Sequence, residues 1–395
     1  MAYVAFARAC LAEHAPVPAI SERKPMQIDK VEILPADMPQ SDPKWRFAIH
    51  ANRVSQGWLL SVAAGEIVGY GYASATKHMG ASSQGLKGVL EDFARVLVGR
   101  DPFDIEATMA ALDHRLRGMN QAKAAIDCAL HEIVARSLGV PLHALFGGKC
   151  RSEFPVMRVL SLKPPEEMAA RARQLLDAGY RDIKIKVDGN VALDAARVGA
   201  VRAEVGPEIR LIIDANQAYR PKDAVALAAK VADLGVEIFE QPCNADDHAG
   251  LKFVTDHSPI AIEADESAAS VRAVFTLVSG RIVDQVSLKV LKLGGLRNTI
   301  AAARICEAAD IPCRLGAHVG PRLLTAQAMH VAASLPRLSF ACEFGEFVRL
   351  ENDITEGVEN QNGMIRLPGG AGSGAALRAD AKAQMAQAAH VSLAG

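Results

Sequence analysis

An excess of charge of either sign is missing from this 395-residue chain, in which 44 Lys and Arg stand against 45 Asp and Glu for a formal net charge of −1. That balance draws the protein neither to nucleic acid nor to an anionic membrane. Aromatic residues are scarce at 5%, which removes the stacking platforms of a single-strand binder. No CxxC pair occurs, and cysteines stand singly at 10, 128, 150, 243, 306, 313 and 342. An odd, scattered set fits reduced thiols in a cytoplasmic protein, not a disulfide framework or a zinc site. No apolar run approaches the roughly 18 residues of a spanning helix. The opening MAYVAFARACLAEHAPVPAI lacks a charged start ahead of a clean apolar block. A secretory signal is therefore not expected, and residues 1–25 are read as a loosely ordered extension. What is plentiful is core material, with 50% hydrophobic against 23% charged residues, the mix of a globular protein with a large core.

Two textures divide the rest. Over residues 26–150, VEILPA, RFAIHA and GWLLSVAAGE read as strands, and GLKGVLEDFARVLVG, DIEATMAALDHRLRG and AKAAIDCALHEIVARSLG as helices that stop at glycine. A sheet followed by helices predicts an α+β domain. Over 151–350, eight short apolar runs alternate with helical patterns: PVMRVL, DIKIKVDG, IRLIIDAN, EIFEQPC, IAIEADES, VDQVSLKV, IPCRLGAH and LSFACEF. Such alternation predicts parallel strands, and this many units fit a closed barrel. A doubly wound open sheet would show a glycine-rich loop after its first strand; Leu160–Ser161–Leu162 offers none. Residues 351–395 are expected to be a C-terminal segment that returns to the capping domain, followed by a tail.

Charged residues sit at or near the C-terminal ends of successive strands: Lys184 and Lys186, then Asp214, Glu240, Asp265, Lys289, His318 and Glu343, at steps from Lys186 of 28, 26, 25, 24, 29 and 25. In a parallel barrel those ends meet at one face, where active sites are built. Asp214, Glu240 and Asp265 can converge on a hard cation, and an all-carboxylate set suits Mg²⁺. The competing reading has each acid capping a helix or pairing with a lysine. Lys184 and Lys186 point the same way, two residues apart on one strand. Mutual repulsion is expected to lower one ammonium's pKa toward the range of a base. Lys289 stands four strands further round, so a reacting carbon between them would face a lysine on each side.

DIKIKVDG, DANQAY, EQP, ADES and LKVLKLGG resemble the successive strand motifs of the enolase superfamily, in its muconate-lactonizing-enzyme and dipeptide-epimerase-like subgroup. The resemblance runs from Met26 to about Ala376. It implies an α/β fold, a modified (β/α)7β TIM barrel with an N-terminal α+β capping domain. It further implies Mg²⁺ on Asp214, Glu240 and Asp265, with Lys186 and Lys289 as acid/base groups on opposite faces. Lys184 would contact the substrate carboxylate, Lys292 would support the site, and the protein would form a homo-oligomer. Mandelate-racemase-like members carry an aspartate where Lys289 stands, paired with a histidine on the next strand; His318 occurs here without that aspartate.

The implied chemistry is removal of the proton next to the carboxylate of a small-molecule substrate, through an enediolate. Return of a proton to the other face makes a racemase or epimerase; loss of a β-group makes a dehydratase, lyase or cycloisomerase. An inactive ligand-binding barrel is the non-enzymatic alternative. The eighth strand lacks the DxD pair with which dipeptide-acting relatives hold an ammonium group. Glu343 and Glu346 are candidates to hold a cationic nitrogen in its place, favouring an amino acid derivative, a cyclic imino acid or a betaine; Glu346 also reads as a loop acid facing water. His318 reads either as an acid for a leaving group or as a hydrogen-bonding substrate contact. KWRFAIHANR and ASATKHMGASS are the expected lid loops, with Trp45 either a core residue or a substrate contact.

Overall fold

The computed structural model describes residues 26–48, 50–51, 53–339, 341–387 and 391–394; the expected N-terminal extension lies outside them. Three long strands, β1 (Lys30–Pro35), β2 (Gly57–Ala64) and β3 (Ile67–Ser74), are followed by helices α1 (Ser83–Leu97), α2 (Ile105–Arg115) and α3 (Asn120–Ser137). Each helix is followed within three residues by a glycine at positive φ, Gly99, Gly118 or Gly139, which matches the stop signals in the sequence. The strands pair antiparallel, and Val391–Ala394 joins β1 on its other edge.

Strand β3, IVGYGYAS, escapes sequence reading because two glycines depress its strand propensity. Packing explains them. A Cβ on Gly69 would run into the carbonyl of Ala129, and one on Gly71 into the carbonyl of Ala125, both on α3. The glycines let a helix backbone lie directly on the sheet. Gly71→Ala is expected to lower stability by about 1–3 kcal/mol through overpacking, seen as a lower urea midpoint; an unchanged midpoint would refute the close approach. The run RFAIHA also departs from expectation, forming only two-residue strands at Arg46–Phe47 and His50–Ala51.

The second layer is a parallel sheet of seven strands: β4 (Met157–Leu160), β5 (Asp182–Lys186), β6 (Arg210–Asp214), β7 (Val236–Glu240), β8 (Ala261–Ala264), β9 (Gln285–Lys289) and β10 (Cys313–Gly316). The expected eighth strand shrinks to two parallel bridges, Val156 to Cys342 and Gly316 to Glu343, which join the two edges of the sheet. The connecting helices start on local signals. Asn190, Asp247 and Ser270 accept backbone N–H bonds from Leu193, Gly250 and Ala273, and Pro165 and Pro221 occupy first turns.

Side-chain alternation sorts the barrel interior into layers. Met157, Ile212, Ile238 and Ala341 form an apolar plug. Two residues further along their strands, Asp214 and Glu240 therefore face the same interior one layer higher. Strand register sets Lys186, Asp214 and Glu240 in one row. Helix α3 is buried from Gln121 to Ala135, and its polar groups fasten it to its surroundings. Asp127 accepts the Leu296 and Arg297 amides and so caps the barrel helix Leu296–Ala308, while Glu132 accepts the Ser373 amide. Among the described residues, no helix is long and apolar enough to cross a membrane.

Candidate active site

A cavity of about 510 Å³ opens at the C-terminal face of the sheet. Its barrel wall includes Lys186, Asp265, Lys289, His318 and Glu343, and its roof comes from the two expected lid loops, with Trp45, Phe47, His78 and Met79. Trp45 is thus a cavity-lining residue. Phe47 stands over the Lys186 ammonium at 5.3 Å and edge-on to His78. His78 in turn stacks on His318, with ring centroids 6.1 Å apart.

Beneath the cavity the charges alternate. Lys184 Nζ lies 3.3 Å from Asp214 and donates to Glu240 at 2.9 Å. Lys289 Nζ donates to Asp265 at 2.6 Å and lies 3.9 Å from Glu240. Lys186 donates to Asp214 and, at 2.6 Å, to the Asn216 side chain. Lys292 donates to both the carboxylate and the carbonyl of Asp265, a supporting place. Gly316 leaves room for the Lys289 stem, which a Cβ there would approach to 3.2 Å.

The expectation that repulsion between Lys184 and Lys186 would dominate needs correcting at Lys184. Burial works against its ammonium, but Glu240, Glu343 and Asp214 outweigh that and hold its pKa well above the usual lysine value. Burial likewise opposes the charge on Asp265, yet Lys289 and Lys292 hold its carboxyl well below the usual range. Glu240 goes the other way, pushed up to about 8 by burial and by Asp214. Glu266 rises to about 7 through burial and the neighbouring Asp265 and Asp214. His318 falls to about 4 through burial and Lys289, so its ring is neutral at neutral pH. Its backbone is left-handed, φ 67°, a conformation uncommon outside glycine and found at functional sites.

The three acids predicted to share a cation do not converge by themselves: among the described residues no group of three acidic, His or Cys side chains forms a ready metal cage, because Lys184 and Lys289 stand between neighbouring acids. The donor set nonetheless fits Mg²⁺. Five cationic groups (Lys184, Lys186, Lys289, Lys292, Arg314) face six carboxylates (Asp214, Glu240, Glu263, Asp265, Glu266, Glu343). Glu240 Oε1 and Glu266 Oε2 are buried without a hydrogen-bond partner. Burial and neighbouring acids raise the Glu240 and Glu266 pKa values; a divalent cation on these oxygens would favour their charged forms, and hard oxygens are its preferred ligands.

Sequence reading missed Arg314. It is fully buried, donates bidentately to Glu263 at 2.6–3.0 Å, and reaches Glu240 at 2.6 Å and Glu343 at 3.6 Å. An arginine inside the apolar strand run IPCRLGAH was the available signal, since a buried guanidinium demands carboxylate partners. Glu346 needs correction. It is 1% exposed, not facing water, and its oxygens pair with Arg158 at 3.1 Å and with Arg349. Glu346 also lines the cavity, with its charge shared by these two guanidinium groups. Glu343 lines the cavity but is held by Lys184 and Arg314.

Comparison with known proteins accords with this geometry. Residues 167–381 match the enolase C-terminal domain-like family, and residues 31–147 match the mandelate racemase/muconate lactonizing enzyme N-terminal domain. The chain belongs to the enolase superfamily, in its mandelate racemase/muconate lactonizing enzyme group. It is similar to L-Ala-D/L-Glu epimerase of Bacillus subtilis, 36% identical over 70% of this chain and 76% of that protein. It is also similar to chloromuconate cycloisomerase CbnB of Cupriavidus necator, 29% identical over 90% and 98% of the two chains. A crystal structure of dipeptide epimerase from Enterococcus faecalis, complexed with Mg and L-Leu-L-Tyr, superposes with a TM-score of 0.84 at 30% identity, covering 89% of this chain and 99% of that one. The protein is thus an enzyme of the racemase, epimerase and cycloisomerase class, with an enolase-type reaction on a small molecule.

Proposed function

We propose that the enzyme removes the proton on the carbon next to a carboxylate and returns one to the opposite face, racemising or epimerising an amino acid derivative. The observation that carries this reading is the presence of Lys186 and Lys289 on one cavity, four strands apart, with Asp214, Glu240 and Asp265 between them. Mg²⁺, which those three acids would hold, supplies positive charge against the negative charge that builds on the substrate carboxylate. Lys184, beneath the cavity, adds a fixed ammonium among the acids that would hold the cation. One of Lys186 and Lys289 takes the proton while the other delivers one. The neutral His318 ring supports a hydrogen-bonding role over that of a leaving-group acid, which would need an imidazolium. The lid residues Phe47 and His78 exclude water from above. The division into residues 26–150, 151–350 and 351–395, a homo-oligomeric state and a cytoplasmic setting belong to the same reading; six unpaired thiols among the described residues support the last.

Deuterium exchange in D₂O followed by NMR tests the proposal. A panel of N-acyl and free amino acids, proline derivatives, betaines, dipeptides and muconate is offered with Mg²⁺. The expected result is exchange at the α-carbon of an amino acid derivative, lost with chelator and restored by Mg²⁺. Silence across the amino acid derivatives would overturn it. Cycloisomerisation is the second reading, favoured by the 90% coverage against the chloromuconate enzyme; loss of muconate absorbance in the same panel would select it.

A further inference from the structure

The three acids of the site are not held alike. Asp214 and Glu240 end β6 and β7, and the register of the sheet fixes them in one row with Lys186. Asp265 lies one residue past β8, whose pairing with β9 stops at Ala264. The backbone ladder therefore does not reach the acid that accepts from Lys289 at 2.6 Å and pairs with Lys292.

A side chain takes the place of the ladder. Gln241, the residue after Glu240, is fully buried. Its Oε1 accepts the Asp265 amide at 2.9 Å and the Ser267 amide at 3.0 Å. Its Nε2 donates to the Ser267 hydroxyl at 2.8 Å and to the Cys243 carbonyl at 3.0 Å. Both acceptor sites and both N–H groups of the side-chain amide are thus used. The Gln241 backbone N–H donates to the Glu263 carbonyl at 2.8 Å, so the side-chain bonds begin where the backbone bonds end. Gln241 has φ 34° and stands before Pro242, a place that favours extended backbone. Such a conformation is costly and is kept where the surroundings over-determine it, often at functional sites.

We propose that Gln241 is a positioning residue for the Lys289 face of the reaction: by fixing the Asp265 backbone it sets where the Lys289 ammonium stands. Lys186 has other partners, Asp214 and Asn216, and the neighbouring Gln217 amide bonds the Gln241 backbone carbonyl, not its side chain. The inference rests on the two-face proton transfer proposed above and names what supports one of its faces.

Gln241→Met, close in size but without the amide, tests it. The enantiomer served by Lys289 is the one that still exchanges its α-proton in Lys186→Ala. Its exchange is expected to fall by roughly ten- to a hundredfold, in kcat more than in KM, with a clearly smaller fall for the other enantiomer. Hydrogen exchange of peptides spanning residues 261–268, read by mass spectrometry, should quicken at the Asp265 and Ser267 amides. The rise in urea midpoint that Mg²⁺ gives the wild type should shrink. Equal loss for the two enantiomers would make Gln241 a packing residue and overturn the proposal, as would unchanged exchange at the two amides. If no derivative exchanges in the wild type, the reaction proposed above fails on its own. The positioning role then stands if the amides quicken and the Mg²⁺ shift shrinks, and falls if either is unchanged. Should Gln241→Met fail to fold, Ser267→Ala, which removes the hydroxyl that orients the Gln241 amide, is read in the same way, with no difference between the enantiomers as the negative result.

Discussion

Alanine at Lys289 is expected to abolish racemisation, by at least about 10²–10⁴-fold, while one enantiomer of the substrate continues to exchange its α-proton with solvent. The reason is geometric. Lys186 and Lys289 come from β5 and β9 and line one cavity, so a carbon held between them would present one face to each. With Lys289 gone, Lys186 can still remove and return a proton on its own face, so deuterium enters without inversion. Lys186→Ala should give the mirror result, exchange of the other enantiomer only. NMR exchange measured separately on the two enantiomers reads this directly. Loss of exchange for both enantiomers in both variants would mean that the lysines do not act on separate faces.

Removing Arg314 should have the largest effect on stability. Arg314→Met is expected to destabilise the protein by about 3–5 kcal/mol, because breaking a buried ion pair strands its partners. Here the stranded groups are Glu263 and Glu240, both 0% exposed. Arg314→Lys should recover little, since one ammonium cannot reproduce the bidentate contact to Glu263 together with the reach to Glu240. Adding Glu263→Leu to Arg314→Met should restore part of the loss by removing one stranded carboxylate. Urea midpoints for the four proteins give the comparison. A midpoint for Arg314→Met close to wild type would show that the barrel interior does not need this cation.

The barrel was legible in the chain because its signals are local and repeated. Apolar runs of four to six residues, helices between them and one charged residue at each strand end recur about every 26 residues, so Lys186, Asp214, Glu240, Asp265, Lys289 and Glu343 could be placed around one face before any contact was known. The family followed from the same residues, since DIKIKVDG, DANQAY and LKVLKLGG are short and contiguous. Strand β3 was hidden for the opposite reason. Gly69 and Gly71 answer to the backbone of α3, more than 50 residues away in the chain, and no local propensity reports that approach.

Charge partners were decided by tertiary structure alone. Sequence can say that a carboxylate follows the eighth strand; only the fold says that Glu346 meets Arg158 and Arg349, from β4 and from the segment after the eighth strand. Arg314 looked like one residue in an apolar run until the barrel closed around it and set Glu240, Glu263 and Glu343 within its reach. The chain by itself thus determined the architecture, the family and the acids and lysines at the strand ends, because periodicity and motif spacing are properties of neighbouring residues. Which charges inside the pocket are paired, and with what, was set by the three-dimensional structure, because a buried charge is defined by partners that only the closed barrel and its cap bring together.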